Sequence, residues 1–305
     1  MRFKKLDLNL LVALDHMLNL KSVSRAAEQM NMSQSAMSNA LTRLRDYFDD
    51  PILMQVGRQM ELTARAEAMR DAVRDILVRV EATVSIDPAF VAKDSTREFR
   101  ILLSDYTMAV LMPHVLALAY EQSPTVRFCL MPQVEHPYLA IERGDADVLI
   151  APPVFCSPDH PSEMLFRDHF SGIFWNRGRF AGRPLTYDDY ISAGHVRMMP
   201  PNNTTSFESQ FLEMRGIHRR IDVTTYSFSA LANLVIGTDR IATVHGLLAR
   251  QALHHMPVEM IALPFENDPL DQTMQWHGYR SQDPGIVWLT DLFHQAVARM
   301  RAELI

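Results

Sequence analysis

Short hydrogen-bonding side chains are concentrated between residues 33 and 43. Hydroxyl, amide and guanidinium groups can read base edges in the major groove or bind phosphate oxygens, so they suggest nucleic-acid recognition. With two cationic neighbours added, the candidate DNA contacts are Arg25, Ser33, Gln34, Ser35, Ser38, Asn39, Thr42, Arg43 and Arg58. A polar face is equally typical of an ordinary solvated helix, so the surrounding elements must decide between the two interpretations.

A second group of polar and aromatic side chains follows predicted strands in the C-terminal two thirds of the chain. Open α/β sheets bind small molecules at the carboxyl ends of their strands. The candidate ligand contacts are Ser104, Asp105, Tyr106, Gln133, Pro153, Asn203, Thr204, Thr205, Phe228, Ser229 and His245. Tyr106, Phe228 and His245 can flank an aromatic ring, and the helix predicted after Ser206 can receive a carboxylate or phenolate at its N-terminus. The alternatives are a plain helix-capping turn and a core phenylalanine.

Catalytic and metal chemistry find little support in the residue pattern. The best set for nucleophilic catalysis has no motif behind it and consists of Asp105, Ser229 and His245. No GxSxG, GxxxxGK[ST], HExxH or strand-linked GxGxxG motif is present, and no Cys/His pair has ligand spacing. The histidines of the second half, including the adjacent His254 and His255, are therefore expected to be structural or solvated. We predict no enzymatic activity, no metal and no cofactor.

Three helices are predicted to position the candidate DNA contacts. Apolar residues at helical spacing predict a first helix over 6–18, and Ser22 can cap a second over 23–30. A polar turn ends at Ser33, which can cap a third helix over 34–48. In that helix an apolar stripe opposes the polar face, as a recognition helix in a helix-turn-helix requires.

Residues 51–63 and 64–84 extend this block. Two short strands turning at Gly57 predict a wing whose Arg58 reaches a minor groove or a phosphate, although a plain exposed hairpin tip fits equally well. The following helix carries a narrow apolar stripe, formed by Met69, Val73, Ile76, Val80 and Val84. So narrow a stripe favours pairing with a second chain.

Beyond Pro88 strands alternate with helices, which predicts two α/β lobes with largely parallel sheets and a crevice between them. In the first lobe we predict strands at 99–103, 126–130 and 147–151 and helices at 111–122 and 138–143. In the second lobe we predict strands at 221–224 and 240–244 and a helix at 229–236.

Composition sets outer bounds on function. The chain has 305 residues, 48% of them hydrophobic, which suits about two globular domains. A formal charge of −6 excludes a chain-wide basic field, yet residues 21–45 hold four basic residues against one acidic residue. Two unpaired cysteines, Cys129 and Cys156, indicate a reducing compartment. Without a signal-peptide core or a membrane-length apolar run, a cytoplasmic location is expected.

Several segments together resemble the LysR-type transcriptional regulators. They are Leu6-Asp-Leu-Asn-Leu-Leu, Ser24-Arg-Ala-Ala, Ser33-Gln-Ser-Ala-Met-Ser, Leu41-Thr-Arg-Leu-Arg and Leu62-Thr-Ala-Arg-Ala-Glu. The first fifteen residues and Arg43-Leu-Arg-Asp-Tyr-Phe look most like the nodulation-regulator branch, which includes regulators of chlorinated-aromatic and phenol degradation.

The resemblance implies an α plus α/β architecture. It consists of a winged helix-turn-helix at 1–63, a dimerising linker helix at 64–88 and a two-lobed effector domain of the periplasmic-binding-protein type at 89–305. Lobe 1 would span about 95–168 and 268–305, and lobe 2 about 169–267.

The resemblance also implies a function. The chain would be a sequence-specific DNA-binding activator that responds to a phenolic, chlorinated aromatic or flavonoid effector. Its dimers would assemble into tetramers on a promoter operator and contact RNA polymerase. The alternatives are a cytoplasmic small-molecule-binding protein without a transcriptional role and a regulator that needs no effector.

Two positions depart from the family pattern. Ser35 and Ala64 stand where the family often has proline. Both substitutions restore a backbone N–H and free φ, so they bear on DNA specificity and on the rigidity of the linker rather than on the fold.

Overall fold

The computed structural model describes residues 6–84, 90–200 and 205–304. The chain divides between Ile86 and Asp87 into an N-terminal and a C-terminal unit. Within the described ranges no helix has both the length and the apolar character to span a bilayer.

The N-terminal unit is a bundle of helices with one hairpin. Its elements are α1 (Leu8–Leu20), α2 (Val23–Gln29), α3 (Gln34–Phe48), β1 (Leu53–Val56), β2 (Gln59–Leu62) and α4 (Ala64–Val84). The first helix begins two residues later than predicted because Asp7 caps it, its carboxylate accepting the Leu10 N–H at 2.9 Å. The third helix has the predicted bounds, with the Ser33 hydroxyl accepting the Ala36 N–H at 3.2 Å.

The apolar stripes of α1, α2 and α3 form the core of this unit. Leu14, Met17, Met37 and Leu44 are fully buried there, and burial of side chains this size contributes about 1.5–3 kcal/mol each. The core therefore fixes the third helix with its polar face outward.

The apolar stripe of α4 is divided between two environments. Met69 and Val73 pack into the N-terminal core beside α1, and Arg74 of α4 forms an ion pair with the buried carboxylate of Asp15 at 3.0 Å. The interpretation that the whole stripe needs a second chain was therefore wrong for its first half. Ile76 and Val84 remain 45% and 77% exposed.

The C-terminal unit contains two five-stranded sheets. Its elements are β3 (Glu98–Leu103), α5 (Asp105–Val110), α6 (Met112–Gln122), β4 (Arg127–Pro132), α7 (Tyr138–Glu142), β5 (Val148–Ala151), β6 (Ser162–Asp168), β7 (Phe170–Trp175), α8 (Tyr187–Ser192), β8 (Gly194–Met198), α9 (Phe207–Met214), β9 (Arg220–Thr225), α10 (Leu231–Val235), β10 (Ile241–His245), α11 (Gly246–Leu253), β11 (Val258–Ile261), β12 (Leu270–Trp276) and α12 (Pro284–Leu304). Lobe 1 has the strand order β4-β3-β5-β12-β6, and lobe 2 has the order β11-β7-β10-β8-β9.

Each sheet is mostly parallel, as predicted, but contains one antiparallel strand. These strands are β12 in lobe 1 and β7 in lobe 2. The chain crosses between the lobes twice, after β6 and before β12, and each crossing strand enters its new sheet against the direction of its neighbours. Neither of these two strands was predicted from the sequence, because a crossing between lobes has no local signal.

Both cysteines are free thiols. Burial raises the pKa of the Cys156 thiol to about 11, so this side chain is almost entirely protonated and weakly nucleophilic near neutral pH.

Candidate functional site

The third helix presents a continuous polar face to solvent. All of the candidate contacts on and before it are exposed, namely Ser33, Gln34, Ser35, Ser38, Asn39, Thr42 and Arg43. Met37, Ala40, Leu41 and Leu44 are buried on the opposite face. The helix therefore has the short, polar outer surface that can enter a major groove.

Arg43 and Arg25 are exposed but have local partners. The Arg43 guanidinium donates to the Asp7 carboxylate at 3.1 Å, and both side chains are more than half exposed. The Leu10 N–H, followed by Arg43, holds the pKa of Asp7 below its usual range. Arg25 donates to the Leu20 carbonyl. Both guanidiniums lie at the surface, where an exchange of partner for a phosphate costs little.

Two other basic residues of the segment 21–45 bind partners within the N-terminal unit. Arg45 donates to the carbonyls of Pro51 and Leu53 at 2.8 and 3.1 Å and so fixes the base of the hairpin. Lys21 forms an ion pair with Glu61 at 2.9 Å. The local positive charge is therefore smaller than the count along the chain indicated, because acidic partners come from other elements.

The hairpin forms the predicted wing. Gly57 adopts φ +63° at its tip, a backbone conformation that glycine adopts without strain. Arg58 beside it is exposed. Val56 on the same hairpin is 58% exposed, so the wing presents a cationic and an apolar side chain together.

A cavity of about 880 Å³ lies between the two lobes of the C-terminal unit. Eight of the eleven candidate ligand contacts line it: Ser104, Asp105, Tyr106, Gln133, Thr205, Phe228, Ser229 and His245. Pro153 is exposed and is not part of the lining, whereas its neighbours Pro152 and Phe155 are. Asn203 and Thr204 lie outside the described residues.

Sequence reasoning missed several lining residues. Phe155, Phe207 and Tyr226 add aromatic walls, and Gln210 and Gln272 add amides. Gln272 comes from the crossing strand β12, which local patterns did not reveal. Tyr226 directly follows the observed strand β9 and lies two residues after the strand predicted at 221–224, so the strand-end argument applied to it as well.

His245 is the centre of the aromatic wall. Its ring stacks on Tyr106 of lobe 1, with centroids 3.7 Å apart and planes 11° apart. It also forms a T-shaped pair with Phe228, with centroids 4.8 Å apart. The side chain is 5% exposed, and burial lowers its pKa to about 3. Its Nδ1 atom has no hydrogen-bond partner in the part of the chain that the structure describes. Near neutral pH the imidazole is therefore an uncharged ring with a buried polar atom available for a ligand.

Asp105 joins the lobes at the cavity wall. Its Oδ2 atom accepts hydrogen bonds from the Ser227 hydroxyl at 2.7 Å, the Ser229 N–H at 3.0 Å and the Ser229 hydroxyl at 3.2 Å. All three donors belong to lobe 2, while Asp105 opens helix α5 of lobe 1. The structure thus brings Asp105 and Ser229 together as a contact between the lobes.

A second contact between the lobes lies at the first crossing. The Tyr106 hydroxyl donates to Asp168 at 2.6 Å, and the same carboxylate accepts the Leu247 N–H of lobe 2 at 3.1 Å. Burial raises the pKa of both side chains, and the Asp168 carboxylate raises that of Tyr106 further. Tyr106 therefore connects the cavity wall to the crossing strand.

The start of α9 already contains its own acidic group. Ser206 caps the helix, accepting the Ser209 N–H at 3.2 Å, and Glu208 in the first turn pairs with Arg219 at 2.5 Å. Glu208 and Arg219 are both almost fully buried. A ligand carboxylate at this helix end would therefore meet Glu208 as well as the helix dipole.

The two units together define a class of protein: a winged helix-turn-helix joined to a two-lobed α/β ligand-binding unit. Residues 8–67 match the family model described as a bacterial regulatory helix-turn-helix protein of the LysR family. Residues 92–298 match the LysR substrate binding domain. The chain belongs to the LysR family of bacterial transcriptional regulators.

The chain is similar over almost its whole length to nodulation D proteins. The chain is 37% identical over 305 residues to nodulation protein D 2 of Rhizobium leguminosarum bv. phaseoli, covering 98% of this chain and 95% of the relative. It is 37% identical over 306 residues to nodulation protein D 1 of Mesorhizobium japonicum, covering 98% and 96%. The resemblance to the nodulation-regulator branch is confirmed.

Solved structures share the fold. Full-length CbnR in complex with its target DNA superimposes with a TM-score of 0.59 at 16% identity, covering 98% of this chain and 100% of CbnR. Full-length LysG of Corynebacterium glutamicum with bound effector Arg gives 0.63 at 15% identity, covering 96% and 99%. The predicted fold class is confirmed.

Proposed function

We propose that this protein is a sequence-specific DNA-binding activator of transcription that responds to a small aromatic effector bound between its lobes. The observation that carries the effector assignment is the 880 Å³ cavity, walled by aromatic side chains from both lobes. A cavity of this volume suits a ligand of one to three rings. Phenolic, chlorinated aromatic and flavonoid compounds all fall in this range.

In this proposal α3 lies in the major groove and the wing reaches the neighbouring minor groove. The DNA-binding domain would comprise residues 1–63, the linker helix residues 64–88 and the effector domain residues 89–305. The exposed polar face of α3 supports the assignment of DNA binding to this domain. The complex of CbnR with its target DNA supports it as well. Phosphate affinity per monomer is modest, because the basic side chains of residues 21–45 already have partners within the N-terminal unit. Binding weakens steeply with salt.

Dimers that assemble into tetramers would supply the remaining affinity. The exposed apolar residues of α4, Ile76 and Val84, support pairing with a second chain. Two or more DNA-binding domains on adjacent half-sites raise the affinity for the operator, because binding of the first increases the effective concentration of the next. Such an assembly acts in the cytoplasm, where the bacterial chromosome lies, and contacts RNA polymerase at the promoter.

The effector would act by a difference in affinity between two arrangements of the lobes. Binding would shift the assembly toward a form in which the DNA is less bent and a surface for RNA polymerase is accessible. Circular-permutation assays measure this directly: a saturating, functional inducer should reduce the bend angle. An unchanged bend angle contradicts the mechanism.

The function itself is tested by a gel shift of the purified chain on the DNA upstream of its own gene, with excess competitor DNA. The assay is repeated with a panel of phenolic, chlorinated aromatic and flavonoid compounds. Specific retention that changes in mobility or footprint with one compound supports both halves of the proposal. Absence of DNA affinity on any genomic fragment at low salt favours a small-molecule-binding protein without a transcriptional role.

A further inference from the structure

The part of the cavity wall that the structure describes carries no positive charge. Among the lining residues that the structure describes, Asp105 and Glu135 are acidic and none is lysine or arginine. Residues 201–204, Pro-Asn-Asn-Thr, add no basic side chain in sequence. His245 is uncharged near neutral pH because burial lowers its pKa to about 3.

Asp105 is held at the wall more firmly than Glu135. Three donors from lobe 2 bind its Oδ2 atom at 2.7–3.2 Å, which fixes the position of the carboxylate. Glu135 is exposed, so water and salt screen its charge. Arg219 lies outside the lining and is paired with Glu208 at 2.5 Å. A ligand anion beside Asp105 would therefore meet a fixed negative charge, with no lysine or arginine among the described lining residues to offset it.

We propose that Asp105 sets the charge class of the effector, so that the cavity accepts an uncharged aromatic molecule and rejects its carboxylate analogue. This inference rests on the proposed function of the cavity as an aromatic effector site. A carboxylate placed several ångströms from a fixed carboxylate in a partly desolvated site is repelled. We expect a loss of affinity of at least about tenfold relative to an isosteric neutral ligand.

The test uses the full-length protein and matched pairs of probes at pH 7. One pair is 4-hydroxyacetophenone and 4-hydroxybenzoate, which share the ring and hydroxyl and differ in the charge of one substituent. A larger pair is the methyl ester of 3-methylflavone-8-carboxylic acid and the free carboxylate. Isothermal titration calorimetry gives the ratio of the two dissociation constants within each pair.

The wild-type protein should bind the neutral member of at least one pair at least about tenfold more tightly than the anion. Asp105→Asn keeps the size and an acceptor oxygen for Ser227 and Ser229 but removes the charge. We expect the ratio to fall by about tenfold in this variant, through tighter binding of the anion. Asp291→Asn, on the exposed surface of α12 in the same lobe, is the matched control and should keep the wild-type ratio.

Each outcome decides between the proposals. Equal affinity for both members in the wild type, or an unchanged ratio in Asp105→Asn, overturns the role of Asp105 and leaves the aromatic site standing. The role of Asp105 is also overturned if the ratio of dissociation constants falls in Glu135→Gln and not in Asp105→Asn. If neither probe of either pair binds the wild type, the aromatic effector site itself fails. The wild-type ratio requires no variant, so it is decisive even if Asp105→Asn does not fold.

Discussion

Asp7 combines two roles that are separable by mutation. Its carboxylate caps α1 by accepting the Leu10 N–H and also binds the exposed Arg43 guanidinium on the proposed DNA-reading helix. The second role places a negative charge beside a proposed phosphate contact. DNA binding must therefore break or bypass the Asp7–Arg43 pair.

Arg43→Ala should weaken operator affinity by about tenfold and reduce the slope of log affinity against log salt by about one, as expected for a lost phosphate contact. Asp7→Asn keeps a good N-cap residue while removing the charge, so it should leave affinity equal or higher. Fluorescence anisotropy on a labelled operator at several salt concentrations measures both effects. Unchanged affinity in Arg43→Ala at physiological salt would remove this residue from the interface.

His245 should make the stability of the protein dependent on pH. Its pKa falls from 6.5 in the unfolded chain to about 3 in the folded chain because of burial. Between these values the unfolded state binds a proton that the folded state does not, so stability rises with pH up to about 6.5 and is lost as pH falls. Between pH 6.5 and pH 5, protonation of this one side chain in the unfolded chain lowers the free energy of unfolding by about 1.6 kcal/mol.

His245→Phe keeps an aromatic ring against Tyr106 and Phe228 but cannot bind a proton. The free energy of unfolding of this variant should drop by about 1.6 kcal/mol less than that of the wild type between pH 6.5 and pH 5. Urea unfolding at several pH values measures the difference. His255→Ala, at an exposed position, serves as the control, and a wild-type slope in His245→Phe would contradict the buried, uncharged state of His245.

Among the elements, α4 depends on a cap supplied by the end of the wing. The Thr63 hydroxyl accepts the Ala66 N–H at 3.0 Å and donates to Asp50 at 2.7 Å. Thr63 is buried, so this one side chain joins the loop after α3, the wing and the linker helix.

Thr63→Val removes the hydroxyl at nearly constant volume and should destabilise the first turn of α4 by about 1–2 kcal/mol. Hydrogen exchange of the Ala66 amide should accelerate about 5- to 30-fold, since 1.4 kcal/mol corresponds to tenfold. Thr63→Ser retains the hydroxyl and should exchange nearly as the wild type does. Equal exchange rates in the valine and serine variants would show that the cap contributes nothing.

On the scale of the whole C-terminal unit, the two lobes are joined by two covalent crossings and by side-chain contacts beside them. Asp168 ends β6 at the crossing and binds Tyr106 of lobe 1 and the Leu247 N–H of lobe 2. At the second crossing Asn267 bonds to the backbone of Phe170. The cavity wall and both crossings therefore form one connected structure.

Tyr106→Phe deletes the hydrogen bond to Asp168 while keeping the ring stacked on His245. A buried bond to a carboxylate contributes about 1.5–3 kcal/mol, so the free energy of unfolding should fall by about 2 kcal/mol. Chemical denaturation of the full chain measures it. Tyr120→Phe, at a 74% exposed site, should have no effect, and equal stability of the two variants would refute a structural role for the Tyr106 hydroxyl.

Local patterns in the sequence determined the N-terminal unit well. The third helix was predicted to the residue because its stripe, its polar face and its Ser33 cap all lie within sixteen consecutive residues. The strand-to-helix turns of the C-terminal unit were predicted for the same reason, and they pointed to eight of the residues that line the cavity. Helix periodicity and capping depend on neighbours in sequence, so they can be recognised in the sequence alone.

Only the tertiary structure decided which of these side chains meet. Asp105 contacts Ser229 across 124 residues and Tyr106 contacts Asp168 across 62, and Gln272 reaches the cavity on a crossing strand. The same holds for the basic residues of 21–45, whose charges are partly neutralised by Asp7 and Glu61 from other elements. Such pairings result from chain crossings and long-range packing, for which neighbouring residues supply no periodic signal.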